Sequence, residues 1–220
     1  EFFYQKKYHM NKYLMHSGLL FILLISTFDS YSKFTSWEIR FSNNTTGVPF
    51  VTYDQLFYSN FHPGLDVGLN YKLNSNVKHQ LLLNSDIGVF YHRYLQTALK
   101  VYPELEYKFV ASPKWEFFGG INAGYMHSFE NVAVLKLDDN GDYNKISSFN
   151  GRNQFMGGLK FGAGFKPSDK ESGVTYIVAF SSLVQGPFVK GYVPIVPYNS
   201  ISIGVNFPII IKNVKNEINE

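Results

Sequence analysis

Over residues 98–110, ALKVYPELEYKFV, side-chain character changes at every step: Lys100, Tyr102, Glu104, Glu106 and Lys108 share one parity, and Leu99, Val101, Pro103, Leu105, Tyr107 and Phe109 the other. A period of two is the signature of a β-strand with one apolar and one polar face. Comparable stretches occur at 35–42, 64–73, 77–92, 97–110, 114–128, 152–166, 173–185 and 199–207. After residue 32 no segment of ten or more residues carries a helical apolar period. Eight strands, an even number, predict an all-β fold: an eight-stranded antiparallel barrel in up-and-down meander order, its two ends on the same side.

Which face meets water is decided by the glycines. One parity collects Leu65, Val67 and Leu69, then Ile87 and Val89, then Phe117 and Ile121, then Leu159 and Phe161, then Ile201 and Ile203. The opposite parity collects charge and amide groups, interleaved with Gly68, Gly88, Gly120, Gly124, Gly158, Gly162, Gly164 and Gly204. The interior of eight strands is narrow and is filled by side chains, so small and mutually neutralising polar residues belong inside. The apolar face then looks outward, to lipid, and the barrel is expected to be transmembrane. Asp66, Asp86, Lys100, Glu104, Glu106, Lys108, Glu116 and Lys160 are the expected polar network of the lumen. The competing reading is a soluble exported barrel of lipocalin type, closed around the apolar face.

Composition agrees with a membrane surface. Aromatics make up 18% of the chain, with 21 Phe and 16 Tyr, and amphipathic rings favour membrane–water interfaces. Trp37, Tyr71, Tyr91, Tyr107, Trp115, Tyr125, Phe165 and Phe207, near strand ends, are the expected girdles. The formal charge of +3 is scattered through the strands, so nucleic acid is not an expected partner. Cysteine is absent, which excludes disulfides, a thiol nucleophile and a cysteine metal site.

The stretch MNKYLMHSGLLFILLISTFDSYS has a positive start at Lys12, a short apolar run from Leu19 to Ile25, and small residues at Ser30 and Ser32. It reads as an export signal removed near Ser32, the alternative being a buried helix. The expected organisation is therefore an upstream segment and signal peptide at 1–32, a barrel at 33–210 and a polar tail at 211–220. Connections alternate in length: tight turns at 74–76, 111–113 and 167–172 oppose longer segments at 43–63, 129–151 and 186–198, with a short exception near 93–96. Short turns at one end and mostly long loops at the other is the asymmetry of an outer-membrane barrel.

The pieces FHPGLDVGLNYKL, GYMHSF with KLDDNGDY, and GPFVKGYVPIVPYNSISIGVNFP resemble an uncharacterised family of small outer-membrane β-barrels of Gram-negative, Bacteroidota-type bacteria, over roughly residues 48–210. The resemblance implies an outer-membrane location and imports no activity. One departure is the end of the chain, where Phe207 is followed by PIIIKNVKNEINE instead of closing on an aromatic.

Candidate chemistry is sparse. His62, His92 and His127 fall near the outer rim and read as isolated histidines. MHSFE invites comparison with lipid A deacylases, which place His and Ser on one strand face, but His127 and Ser128 are adjacent, and a regular strand turns neighbours to opposite faces. A hydrolase with His127, Ser128 and Glu130 is thus the alternative, requiring a break in phase near Tyr125. DDNGDY (138–143) has the flavour of a calcium loop, yet its glycine comes fourth instead of sixth and Phe149 stands at the twelfth position. No metal and no cofactor is expected. The expected function is that of a non-enzymatic outer-membrane barrel with a plugged polar lumen, structural or acting through its outer loops. Its expected partners are outer-membrane lipid and a surface or membrane protein.

Overall fold

The computed structural model describes residues 33–131, 135–137, 141–145, 151–168, 173–188 and 193–209. Strands β1 (Lys33–Thr46), β2 (Pro63–Lys72), β3 (His79–His92), β4 (Gln96–Val110), β5 (Trp115–Glu130), β8 (Arg152–Phe165), β9 (Thr175–Gly186) and β10 (Val196–Pro208) form one closed antiparallel barrel. Each strand pairs with its chain neighbour in the barrel, and β10 returns to pair with β1, from Ser36 opposite Pro208 to Thr46 opposite Tyr198. The eight alternating segments of the sequence are these eight strands, with ends shifted by a few residues. Within the connection from β5 to β8, β6 (Leu135–Leu137) and β7 (Tyr143–Lys145) make a separate small hairpin. The proposed leader at 1–32 and the tail at 211–220 lie outside the described residues.

Apart from an irregularity at Thr35 between β1 and β2, the register of each pair keeps side-chain parity aligned around the barrel. Ladders β4–β5 and β5–β8 hold one register throughout, lapsing only at Tyr102 and Pro103, where proline has no N–H to give. Every strand therefore presents one face outward. Ile87, Ile121, Phe155, Val178 and Ile203 are each more than half exposed, while Asp86, Glu104, Gln154 and Lys160 are buried. At one end aromatic pairs ring the wall: Trp37 stacks on Phe207 at 4.4 Å, and Trp115 lies 5.0 Å from Phe165. An apolar exterior around a polar interior is the reverse of a water-soluble barrel, and it is the arrangement of a membrane-spanning one.

The interior is not uniformly polar, which corrects the simplest form of the alternation argument. Phe90, Ala98, Tyr102, Met126, Met156, Leu183 and Tyr198 form a buried apolar cluster inside the barrel, and Phe118, Ile177 and Ala179 form another. Glycine makes room for such rings: a Cβ on Gly162 would strike the ring of Phe118 and the Val178 carbonyl.

The connection between β1 and β2 also departs from expectation. It contains the one-turn helix α1 (Gln55–Tyr58) and lies against the outside of the barrel. Phe50 approaches Phe180 and Phe161, on the outward face of β9 and β8, with ring centroids 5.9 and 6.5 Å apart. Phe50 adopts φ = 61°, a left-handed backbone that costs a bulky residue about 1–3 kcal/mol, and its contacts with the wall offset that cost.

A substitution on the outer face separates a lipid-facing wall from a watery one. In lipid vesicles, Ile121→Arg is expected to lower the folding free energy by about 2–4 kcal/mol, measured by denaturant titration. On a water-exposed wall the same change would stay within about 0.5 kcal/mol.

Candidate functional site: the barrel interior

The polar parity of β1 to β5 and β8 converges on a network centred on Arg40. Its guanidinium pairs with Glu38, lies 2.6 Å from Asp86 Oδ1, and donates to the Tyr102 hydroxyl at 3.2 Å. Tyr102 donates in turn to Asp66 at 3.2 Å, and Lys100 Nζ lies 2.8 Å from the same carboxylate oxygen. Lys160 pairs with Glu104 and stands 3.0 Å from Glu106. Lys108 reaches Glu116 at 3.0 Å and Glu106 at 3.9 Å. Asn84 donates to Glu104 and Glu106 at 3.3 and 3.2 Å, and Asn122 to Glu104 at 3.3 Å.

Burial makes these pairs interdependent. Arg40, Asp66, Asp86, Lys100, Glu104, Glu106 and Lys160 are each 5% exposed or less. A desolvated charge is tolerated when paired, and removing its partner leaves it uncompensated. Strands β9 and β10 accommodate the long cations with short side chains: Ser181, Ser200 and Ser202 line the same space. A cavity of about 20 Å³, on the scale of one water molecule, lies among Arg40, Asp66, Lys100 and Lys160.

The eight residues singled out in the sequence all lie on the inward face and take part in these contacts, with Glu116 at the margin. Glu38, Arg40 and Tyr102 are further members. The same two-residue count over TSWEIRFS sets Glu38 and Arg40 opposite Trp37, Ile39 and Phe41, and that signal finds them.

Nearer the outer mouth the interior is closed by amides and rings. Gln96 donates to Gln185 at 2.7 Å and to the Tyr198 hydroxyl at 3.1 Å, and Gln185 donates to Gln154 at 3.3 Å. The expectation of isolated rim histidines is corrected for two of the three. His62 and His92 stack with centroids 3.7 Å apart and planes 7° from parallel, both buried, and His62 Nδ1 meets the Asn44 carbonyl at 3.0 Å. His62 immediately precedes Pro63, the first residue of β2, and stacks on His92, the last residue of β3, a contact between distant positions that no local pattern announces.

His127 and Ser128 are separated by the sheet itself. Ser128 is fully buried and donates inward to Gln154 at 2.9 Å, whereas His127 Nδ1, on the outward face, lies 2.8 Å from Asn153 Oδ1 and 3.1 Å from the Tyr125 hydroxyl. The unbroken β5 register near Tyr125 rules out the break in phase that would reunite them. Glu130 is tied to Arg152 at 3.2 Å, and Arg152 also donates to the Phe188 carbonyl at 2.6 Å. Among the described residues no group of three or more His, Asp or Glu is placed to hold a metal ion. Asp138, Asn140 and Phe149 of the calcium-like segment lie outside the described residues.

No protein-family model matches the chain, and no curated protein does. Solved structures do resemble it. Neisserial surface protein A is 10% identical, with 81% of this chain and 99% of that one covered and a TM-score of 0.49. Ail, the attachment invasion locus protein of Yersinia pestis, is 13% identical over 80% of this chain and 97% of its own, at a TM-score of 0.42. The outer membrane enzyme PagL is 15% identical over 78% and 99%, also at 0.42. The likeness is one of overall architecture, at identities that carry no residue roles across.

Deleting one charge tests the interdependence of the network. Lys160→Met leaves Glu104 and Glu106 short of a partner and is expected to cost about 3–5 kcal/mol in urea unfolding from lipid vesicles. Adding Glu104→Gln should recover part of that loss, a coupling that independent sites would not show.

Proposed function

We propose that this chain is an outer-membrane barrel of the small Gram-negative type, of the Bacteroidota-like family its sequence resembles. In this reading it is a closed, non-conducting and non-enzymatic scaffold, with a structural or interaction role exerted from its outer surface. The observation that carries the reading is the filled interior: paired ions, linked amides and two apolar clusters occupy it, with a cavity of about 20 Å³ among the ions, inside a wall that is apolar on its outer face. A barrel so filled offers no water column, and open channels belong to much larger strand numbers. What the molecule does then falls to its lipid-facing wall and its outer connections, where Tyr94, Val193 and Ile195 are exposed. Outer-membrane lipid is the first partner, and a surface or membrane protein meeting the outer loops is the second. A lipid hydrolase of the lipid A deacylase type finds no support in the geometry, since Ser128 and His127 point away from each other and Glu130 engages Arg152.

Two measurements test the proposal. Purified protein in a planar bilayer is expected to give no large, steady single-channel currents, and such currents would contradict the closed interior. Lipid A from cells with and without the protein is expected to have the same mass profile. Loss of an acyl chain that depends on Ser128 would overturn the non-enzymatic reading.

A further inference from the structure

The connection from β1 to β2 bears on how the barrel meets its membrane. Asn43 and Asn199 sit on the outward parity, one strand step beyond the apolar residues Phe41 and Ile201, where an amide facing hydrocarbon would be costly. Neither is left to lipid. Asn199 is fully buried and donates to the Val48 carbonyl at 3.1 Å and to Thr52 Oγ1 at 3.0 Å. Asn43 donates to the Leu56 carbonyl at 2.7 Å and accepts from the His62 N–H at 2.8 Å. The two wall amides therefore pin the connection flat against the outside of the barrel.

The pinned segment turns much of its backbone back on itself. Val51 and Thr52 N–H groups both return to the Val48 carbonyl, at 3.3 and 3.4 Å. Phe57 and Tyr58 both return to Asp54, at 3.0 and 3.3 Å, and Gly47 donates to the Pro197 carbonyl at 3.2 Å. These local bonds lower the cost of holding the segment near the lipid surface. The side facing away from the wall is mostly apolar, with Val51, Phe57 and Tyr58 exposed by 70, 67 and 89% beside exposed Asp54 and Gln55, and Asp54 is the one carboxylate between Gly47 and Pro63.

We infer that residues 48–58 lie at the outer leaflet, as a flange whose exposed apolar side chains are covered by lipid acyl chains while Asp54 and Gln55 turn to the headgroups. The inference rests on the membrane reading above and adds to it that the first outer connection is a lipid-binding surface instead of a water-facing recognition loop. Acyl chains are the occupant favoured by continuity: Phe50 and Phe61 rest on Phe180 and Phe41, themselves part of the lipid-facing wall. Its exposed aromatic and aliphatic side chains are what that layer accepts.

Because the chain has no cysteine, single spin labels can be placed cleanly. Phe57→Cys and Tyr58→Cys would be labelled and reconstituted in phosphatidylcholine vesicles. Ile121→Cys serves as a reference on the wall and Asn76→Cys as one in a turn. The expected result is preferential collision with oxygen over a water-soluble nickel complex, by several-fold, at 57, 58 and 121, with the reverse at 76. Nickel access at 57 and 58 with lipid-like behaviour at 121 would overturn the flange and leave the membrane barrel standing. Nickel access at 121 as well would overturn both. Low access to both reagents with spin–spin broadening would mean that a second copy covers the segment, and would also overturn acyl-chain coverage.

Discussion

The seam between β1 and β10 is the constraint on which the rest of the structure depends. An open edge in hydrocarbon exposes a row of N–H and C=O groups with nothing to bond, so a sheet can live there only if it closes. The seam is held at several levels. Trp37 stacks on Phe207 outside, and Asn206 donates to Glu38 at 3.4 Å inside. At one end Ile209 donates to the Thr35 carbonyl at 2.8 Å; at the other, Gly47 and Asn199 tie the first outer connection to β10. Gly204 matters here because a Cβ on it would meet Arg40 Cγ at 2.8 Å and the Ile39 carbonyl at 2.5 Å. Strand β10 comes close enough to pair because it presents hydrogen where Arg40 passes.

Closure in turn sets the electrostatics of the interior. Once the wall is complete, Arg40, Lys100, Lys108 and Lys160 are balanced by Glu38, Asp66, Asp86, Glu104, Glu106 and Glu116, and the network links six neighbouring strands. A buried ion pair is weak evidence of net stability compared with an apolar core of equal volume. Its effect is specificity: a strand slipped by one residue would turn its charges into lipid and its apolar residues into the lumen. The apolar cluster around Phe90, Met126 and Tyr198 occupies another part of the lumen, so the barrel is plugged by packing as well as by charge.

Strand positions and facing were legible in the sequence because both follow from a period of two, which acts locally. The interior residues of the network were legible for the same reason, and Glu38 and Arg40 obey the same count. What was hidden depends on contacts between distant segments. Nothing local says that His62 reaches His92, or that Asn199 waits for the carbonyl of Val48. The inward Met126 and Met156 were hidden because an apolar residue on a polar parity looks like noise until a lumen closes around it. The seductive pair His127 and Ser128 failed by the rule that placed the strands: adjacent residues in an unbroken register face opposite ways.

The central claim is that the apolar face lies outside and the charged face inside, so that the fold needs a bilayer around it. Its most direct test is refolding of the urea-unfolded chain, diluted into buffer with or without lipid vesicles and followed by heat-dependent gel mobility and protease resistance. The account requires a compact, protease-resistant and heat-shiftable form with vesicles, and aggregation or continued protease sensitivity without them. A stable, monomeric, protease-resistant barrel in buffer alone would mean that the faces are reversed, and would contradict it.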